Sequence, residues 1–311
     1  MLSVIIPAYN EEKCIRRAYY EINSLLLENG IESEFVFIDD GSCDQTYDVI
    51  NGLSLETENV VGLHFSRNFG KESAISAGLS AVSGDCAVVI DCDLQHPPEK
   101  IVEMYRLWEE GYEIVEGIKK ERGREKKMHG IGAKLFYSTI SRMAGFDMAN
   151  SSDFKLLDRK VIDVLNKMPE RGFFRAISYW VGYNKTTVEY DVKERVDGES
   201  KWSTMGLIKY AVSNISSYST APMQTVTVLG FIMLIISVIF GVWALIDKIS
   251  GRALEGMTTV IIITIFIGSI IMISLGIIGY YIARIYEEIK GRPKYIISST
   301  TKSVNKTTNT R

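Results

Sequence analysis

Two long stretches without a single charged side chain constrain this chain more than any other feature. Val226–Ile246 runs 21 residues and Thr258–Ala283 runs 26 residues in this way, whereas the first 221 residues are charged and mixed. Each stretch meets the need for about 20 apolar residues to cross a bilayer's hydrocarbon core. Only Asp247–Met257 separates them, so the expectation is an antiparallel transmembrane hairpin, with arms at about 226–246 and 259–283. The link carries Lys248 and Arg252; the far side carries Arg284, Lys290, Arg292 and Lys294, then Lys302, Lys306 and Arg311. Positive charge marks the cytoplasmic side, which places both termini and the N-terminal portion in the cytoplasm of a multi-pass membrane protein. The polar tail, 286–311, reads as disordered from Ser298 onward.

The first 200 residues alternate strand and helix signals. Strand-like runs are Val4–Ile6, Glu34–Ile38, Val60–Phe65, Cys86–Ile90 and Ile114–Gly117; helical ones are Glu11–Glu28, Asp44–Leu53, Glu72–Val82 and Pro98–Glu110. That alternation predicts an α/β domain built on a mostly parallel sheet. Ligands of such sheets bind beyond the carboxyl ends of strands. Polar residues lie at those ends: Pro7-Ala8-Tyr9-Asn10-Glu11 after the first strand, Asp39-Asp40-Gly41-Ser42 after the second, Asp91-Cys92-Asp93 after a later one. If extended, the last run puts Asp91, Asp93 and Gln95 on one face. These are hard oxygen donors, suited to Mg²⁺ or Mn²⁺ held jointly with a substrate diphosphate.

Other classes are excluded or weakened. A net charge of −3 gives no electrostatic reason to expect nucleic acid. Four scattered cysteines, Cys14, Cys43, Cys86 and Cys92, form no CxxC pair and read as free thiols in a reducing compartment. His64, His96 and His129 are too far apart in sequence to suggest zinc. No P-loop and no GxGxxG opens the first helix, and no basic, cleavable leader precedes the first strand. Two further segments have amphipathic helical spacing suited to a membrane surface, Lys126–Met143 and a juxtamembrane stretch at 201–221.

Six segments in order then resemble the inverting family 2 glycosyltransferases, and within them the polyprenyl-phosphate group of bactoprenol glucosyltransferases and dolichol-phosphate mannose synthases. They are Val4–Glu12, Asp39–Thr46, Ser66–Glu72, Asp91–Glu99, Ser152–Arg159 and Arg195–Trp202. The chain departs from that pattern at Cys92, Lys119, Lys155 and Trp202, where the group commonly has Ala, Arg, Arg and Tyr. A lysine keeps the charge of arginine but loses its two-pronged geometry. The QxxRW motif of processive synthases is absent from the sequence.

The resemblance implies a GT-A-type (Rossmann-like) domain over 1–200, followed by the hairpin at 222–285. It implies transfer of one hexose from UDP-glucose to a polyprenyl phosphate, with UDP-GlcNAc, GDP-mannose or an aminosugar donor as alternatives. By the same resemblance Pro7, Tyr9, Glu11, Asp39, Asp40, Asp91 and Lys119 bind the nucleotide-sugar, and Asp91, Asp93 and Gln95 hold Mg²⁺ or Mn²⁺. Asp153 takes the place of the catalytic carboxylate, as base or as orienting residue. Arg122, Lys134, Ser138, Arg195 and Lys201 are the candidates for the acceptor phosphate. A glycerolipid acceptor, or a membrane scaffold that keeps nucleotide-sugar binding without turnover, are the competing expectations. Homo-oligomerisation fits two helices that bury little alone.

Overall fold

The computed structural model describes residues 1–120, 152–168, 174–191 and 257–301, with scattered helical positions between 232 and 250. The chain divides into two compact units, Met1–Lys201 with Pro293–Arg311, and Trp202–Arg292.

The first unit is built on an eight-stranded sheet: β1 (Leu2–Ala8), β2 (Ser33–Asp39), β3 (Val60–Phe65), β4 (Cys86–Val89), β5 (Ile114–Lys119), β6 (Lys155–Asp158), β7 (Lys185–Tyr190) and β8 (Ile297–Thr300). Their spatial order is β7-β5-β6-β4-β1-β2-β3-β8. The pairings β1–β2, β1–β4, β2–β3 and β5–β7 are parallel; β6 is antiparallel to β4 and β5, and β8 to β3. Among the described residues six strands therefore run one way, with β6 and β8 reversed, a GT-A-like arrangement.

β1 is central and every one of its residues is buried, which explains its unbroken apolar run. Leu2, Val4 and Ile6 face one core with Ile15 and Ile22 of α1 (Ile15–Glu28), Ile50 of α2 (Thr46–Glu56) and Met104 of α4 (Glu99–Glu109). Ile5 faces the other, with Ala74 and Ile75 of α3 (Lys71–Ala81), Val161 of α5 (Arg159–Lys167) and Phe174 of α6 (Phe174–Trp180). Burying aliphatic side chains on both faces at ~25 cal/mol per Å² is what holds the sheet between its helices.

Strand direction positions the site. β1, β2, β4, β5 and β7 all end on one rim. Because β6 is reversed and Val89 pairs with Lys155, the residues just before β6 sit on that same rim. At the end of β2 the chain turns through Gly41, at φ +66, and a Cβ there would run into the Arg67 backbone carbonyl. Gly41→Ala is expected to destabilise the domain by about 2–4 kcal/mol, from left-handed strain plus the clash. Thermal unfolding checks it; an unchanged Tm would contradict the packing described.

The C-terminal tail departs from expectation at its start. Instead of being disordered, Ile297–Thr300 forms β8, and the Tyr295 ring stacks on Phe65 with centroids 5.1 Å apart. The Ser66 N–H donates to the Ile296 carbonyl and the Thr301 N–H to that of Gly62, both at 3.0 Å. The unpaired edge of β3 offers main-chain donors and acceptors that any extended segment can satisfy, and Ile296, Ile297, Thr300 and Thr301 are β-branched. Residues 302–311 lie outside the described residues.

In the second unit, α7 (Met257–Ile289) is the one helix among the described residues long and apolar enough to cross a membrane. It outruns the expected 259–283, because Arg284–Ile289 contains no helix breaker and the stop is Gly291, at φ +57, followed by Pro293. In the earlier apolar stretch the described positions, among them Ile232, Ile239 and Trp243, are helical and exposed; the others fall outside the described residues. Lys126–Met143 and 201–221 fall outside them too, as do Arg122, Lys134, Ser138, Arg195 and Lys201.

Candidate active site

The loops after β1 and β2 are stitched together at the rim. Asn10, in the left-handed region at φ 56, accepts from the Cys43 N–H through Oδ1 and donates its own N–H to Ser42 Oγ, each at 2.9 Å. The Glu11 N–H donates to Thr46 Oγ1 at 2.9 Å. This bracing leaves Tyr9 43% exposed and Glu11 partly exposed on the rim. Pro7 is buried within β1.

Asp39 and Asp40 are buried and already bonded within the protein. Asp39 Oδ2 lies 2.6 Å from His64 Nδ1 and its Oδ1 accepts from the Ser42 N–H at 3.0 Å. His64 stacks on Tyr47 at 4.6 Å. Asp40 accepts from the Phe69 and Gly70 N–H groups at 2.7 and 2.9 Å, and burial raises its pKa despite these bonds. The residues expected around the nucleoside thus divide: Tyr9 and Glu11 are presented, while Asp39 and Asp40 shape the loops beside them. Lys119 ends β5 and is exposed.

The expected extended face for Asp91, Asp93 and Gln95 is not formed. β4 stops at Val89, residues 92 and 93 make a turn, and Leu94 adopts φ 54. Asp93 Oδ1 accepts from the Gln95 N–H at 3.1 Å, a local turn bond that competes with an extended backbone. Asp93 acts on Cys14, whose thiol is pushed up to about 11 by burial first, then by Glu11 and Asp93. Asp91 instead meets Lys71, the first residue of α3. Its Oδ1 is 2.6 Å and its Oδ2 2.9 Å from Lys71 Nζ.

Lys71 also reaches Asp153 Oδ2, at 3.0 Å. Asp153, just ahead of β6, is 7% exposed and receives a two-pronged contact from Arg175 of α6: Nε to Oδ1 at 2.7 Å and Nη2 to Oδ2 at 3.0 Å. Burial pushes its pKa up, but the Arg175 bonds and the Lys71 charge overcome this and hold it well below the usual carboxylate range. Burial likewise opposes the charge on Lys71, and Asp91 and Asp153 reverse that into a net rise. Next to it Glu72 is pushed up to about 7, by burial and then by Asp153.

Lys155, only 2% exposed, supports this cluster from below. Its Nζ lies 3.2 Å from Glu116 Oε1 and donates to Ser178 Oγ at 2.8 Å, joining β5, β6 and α6. Lys155→Met is expected to cost about 3–5 kcal/mol by removing the buried ammonium that pairs with the Glu116 carboxylate. Lys155→Met combined with Glu116→Gln should recover part of that loss in thermal unfolding; equal loss in both variants would show that the pair is not coupled.

Neither Lys71 nor Arg175 stands among the residues singled out from the sequence. Lys71 lies inside the Ser66–Glu72 segment and was within reach of that reading. Arg175 lies outside the six ordered segments, 22 positions from its partner, and only the fold brings the two together.

The residues suit a divalent cation in one respect that can be observed. An ammonium group, itself a cation, is gripped by both oxygens of Asp91 at the strand end. Among the described residues no three His, Cys, Asp or Glu side chains gather into a metal cage, so an ion here would need ligands from a bound diphosphate, as Mg²⁺ commonly has.

Known proteins place the chain in a family. Over 299 residues it is 37% identical to the SfII prophage-derived bactoprenol glucosyl transferase of Shigella flexneri, covering 95% of this chain and 97% of that protein. It is 36% identical over 299 residues to the prophage bactoprenol glucosyl transferase homolog of Escherichia coli K12, covering 95% and 98%. In fold it is similar to glucosyl-3-phosphoglycerate synthase from Mycobacterium tuberculosis, solved with Mn²⁺, UDP and phosphoglyceric acid: TM-score 0.50, 19% identity, 70% of this chain and 76% of that one. Residues 3–165 match glycosyl transferase family 2, and with an Asp91–Lys71–Asp153–Arg175 cluster set on the rim of a GT-A-like sheet, the chain belongs to that family of glycosyltransferases.

Proposed function

We propose that this glycosyltransferase moves one hexose from a nucleotide-sugar, UDP-glucose first among the candidates, to a polyprenyl phosphate at a membrane surface, inverting the anomeric centre. The observation that carries this reading is Asp153, held ionised by Arg175 and Lys71 on the same rim as Asp91. The bactoprenol transferases to which the chain is similar over nearly its whole length, and the apolar α7, support a lipid acceptor.

A phosphate monoester has a second pKa of about 6 and arrives largely ionised at neutral pH. It has little proton left to give up, and a carboxylate kept ionised by two cations is a weak base. Asp153 is therefore assigned as an orienting and electrostatic group. It favours positive charge that develops at the anomeric carbon, and it fixes the Arg175 guanidinium in place. Asp91, Asp93 and Gln95 would hold Mg²⁺ or Mn²⁺, which when bound supplies neutralisation of the leaving diphosphate. Tyr9 and Glu11, braced through Asn10, receive the nucleoside, with Asp39 and Asp40 behind them and Lys119 towards the diphosphate. Arg122, Lys134, Arg195 and Lys201, with Ser138, are assigned to the acceptor phosphate. The two apolar stretches form a hairpin in a bacterial-type membrane, with the catalytic unit and both termini cytoplasmic.

The test is a panel of labelled nucleotide-sugars incubated with polyprenyl phosphate and the full chain in detergent, with and without chelator. Label from UDP-glucose in polyprenyl phosphate, abolished by chelator, is the expected result. Label in glycerolipid instead would favour the other acceptor. Donor binding without nucleotide release on any lipid would favour the scaffold.

A further inference from the structure

We propose that β8, the strand that follows the apolar α7 along the chain, is a positioning element of the donor site. Its pairing with β3 holds His64, and His64 in turn fixes Asp39 and the loop that Asp39 opens beside the nucleoside. The proposal rests on the reading above of the rim around Tyr9 and Glu11 as the nucleoside site.

Three side chains stand in one row across three strands. Asp39, the last residue of β2, is in register with His64 of β3, and His64 is in register with Ser299 of β8. Registered neighbours on adjacent strands share a face of the sheet, so the imidazole has Asp39 on one flank and Ser299 on the other. Tyr47 of α2 covers it: the two rings stack at 4.6 Å, and the Tyr47 hydroxyl lies beside the Ser299 side chain. The stretch of β3 that carries His64 is held by β8 on both sides of this row. The Ser66 N–H donates to the Ile296 carbonyl, the Gly62 N–H to Thr301 Oγ1 at 2.9 Å, and Ser298 Oγ to the His64 carbonyl at 3.2 Å.

On the other flank the contacts lead into the site. Asp39 is fully buried; its Oδ2 lies 2.6 Å from His64 Nδ1 and its Oδ1 accepts from the Ser42 N–H at 3.0 Å. Ser42 Oγ accepts from the Asn10 N–H at 2.9 Å, which braces the loop carrying Tyr9 and Glu11. A buried carboxylate keeps one orientation only while its partners hold it. Strand edges and chain ends open before the centre of a sheet does. With β8 undocked, His64 stands at an open edge with its ring free to turn to water, and Asp39 loses the contact on Oδ2. The coupling runs both ways: if docked β8 favours nucleotide binding, bound nucleotide favours docked β8 by the same factor.

UDP binding to the full chain in detergent with Mn²⁺ is measured by titration calorimetry, per folded molecule. His64→Phe keeps a ring against Tyr47 and removes Nδ1; it should weaken UDP binding about fivefold, the effect of one ordinary hydrogen bond. His64→Asn restores an N–H close to that position and should bind within about twofold of the parent, a rescue that a purely structural role does not give. Ser299→Pro brings no N–H to the ladder opposite His64 and should weaken UDP binding by about the same fivefold factor. In turnover the donor KM should rise in His64→Phe and Ser299→Pro while kcat and the acceptor KM stay. In the parent chain, saturating UDP should slow hydrogen exchange of the 296–301 amides several-fold and leave those of α5 unchanged. UDP affinity equal to the parent's in either His64→Phe or Ser299→Pro overturns the proposal, as does exchange at 296–301 that UDP leaves unaltered. The exchange measurement uses the native chain and so decides the matter even if a variant fails to fold. A parent chain that binds no nucleoside diphosphate would remove the donor-site reading and this inference together. UDP binding to which β8 is indifferent removes the inference alone.

Discussion

Asp153→Asn is expected to lower the transfer rate by about 10²–10⁴-fold, the range for loss of a positioned catalytic group, with donor affinity changed little. The argument is electrostatic. An amide keeps the shape of the carboxylate but removes the charge that Arg175 grips through Nε and Nη2 and that Lys71 meets at 3.0 Å. The arginine then loses its fixed orientation, and the anomeric carbon loses a negative neighbour as its bond to the leaving group lengthens. Two cations left facing an uncharged amide also destabilise the fold, so the rate is compared per folded molecule, after thermal unfolding of both proteins. A fall in kcat with an unchanged donor KM is the predicted signature. Turnover within about threefold of the parent would remove Asp153 from the reaction.

The second large effect is expected at the end of β4. Asp91→Asn should lower transfer by about 10²–10³-fold, comparable to removing one strong electrostatic contact from a developing charge, and chelator should do the same to the unmodified enzyme. The variant and the chelator should not be additive if both act through one ion. Asp93→Asn is the informative comparison. Asp93 bonds its own turn and acts on Cys14, while Asp91 turns towards Lys71, so the two carboxylates do not share a strand face. Equal losses in Asp91→Asn and Asp93→Asn, each with weakened Mn²⁺ binding, would support one ion between them. Full activity of Asp91→Asn in excess chelator would end the metal reading.

Much of the soluble architecture was legible because local pattern and global fold agree. The apolar runs at Val4–Ile6 and Cys86–Ile90 can be satisfied only by burial on both faces, and they became β1 and β4 at the sheet centre. The spacing of Ile15, Ala18, Tyr19, Ile22 and Leu26 admits one helical face, and that face is buried. Where reading failed, a local bond or a distant edge had intervened. The Asp93–Gln95 turn bond ended the extended run that would have aligned Asp91, Asp93 and Gln95. A polar tail with no helical or core signal became β8, because the β3 edge had main-chain groups to pair.

The amino-acid order by itself determined the alternating α/β unit, the polar rim at its strand ends, the apolar stretches that follow, and the membership in family 2 carried by short ordered motifs. These are properties of local periodicity and composition, which act over a few residues and need no knowledge of the rest. Tertiary structure alone decided that β6 runs backwards and so delivers Asp153 to the rim, that Arg175 reaches it across 22 positions, and that Lys71 sits between Asp91 and Asp153. Those contacts depend on strand direction and on two helices, α3 and α6, packed against the same face of the sheet. Ion pairs of this kind form wherever the packed backbone brings opposite charges together, and no spacing along the chain encodes them.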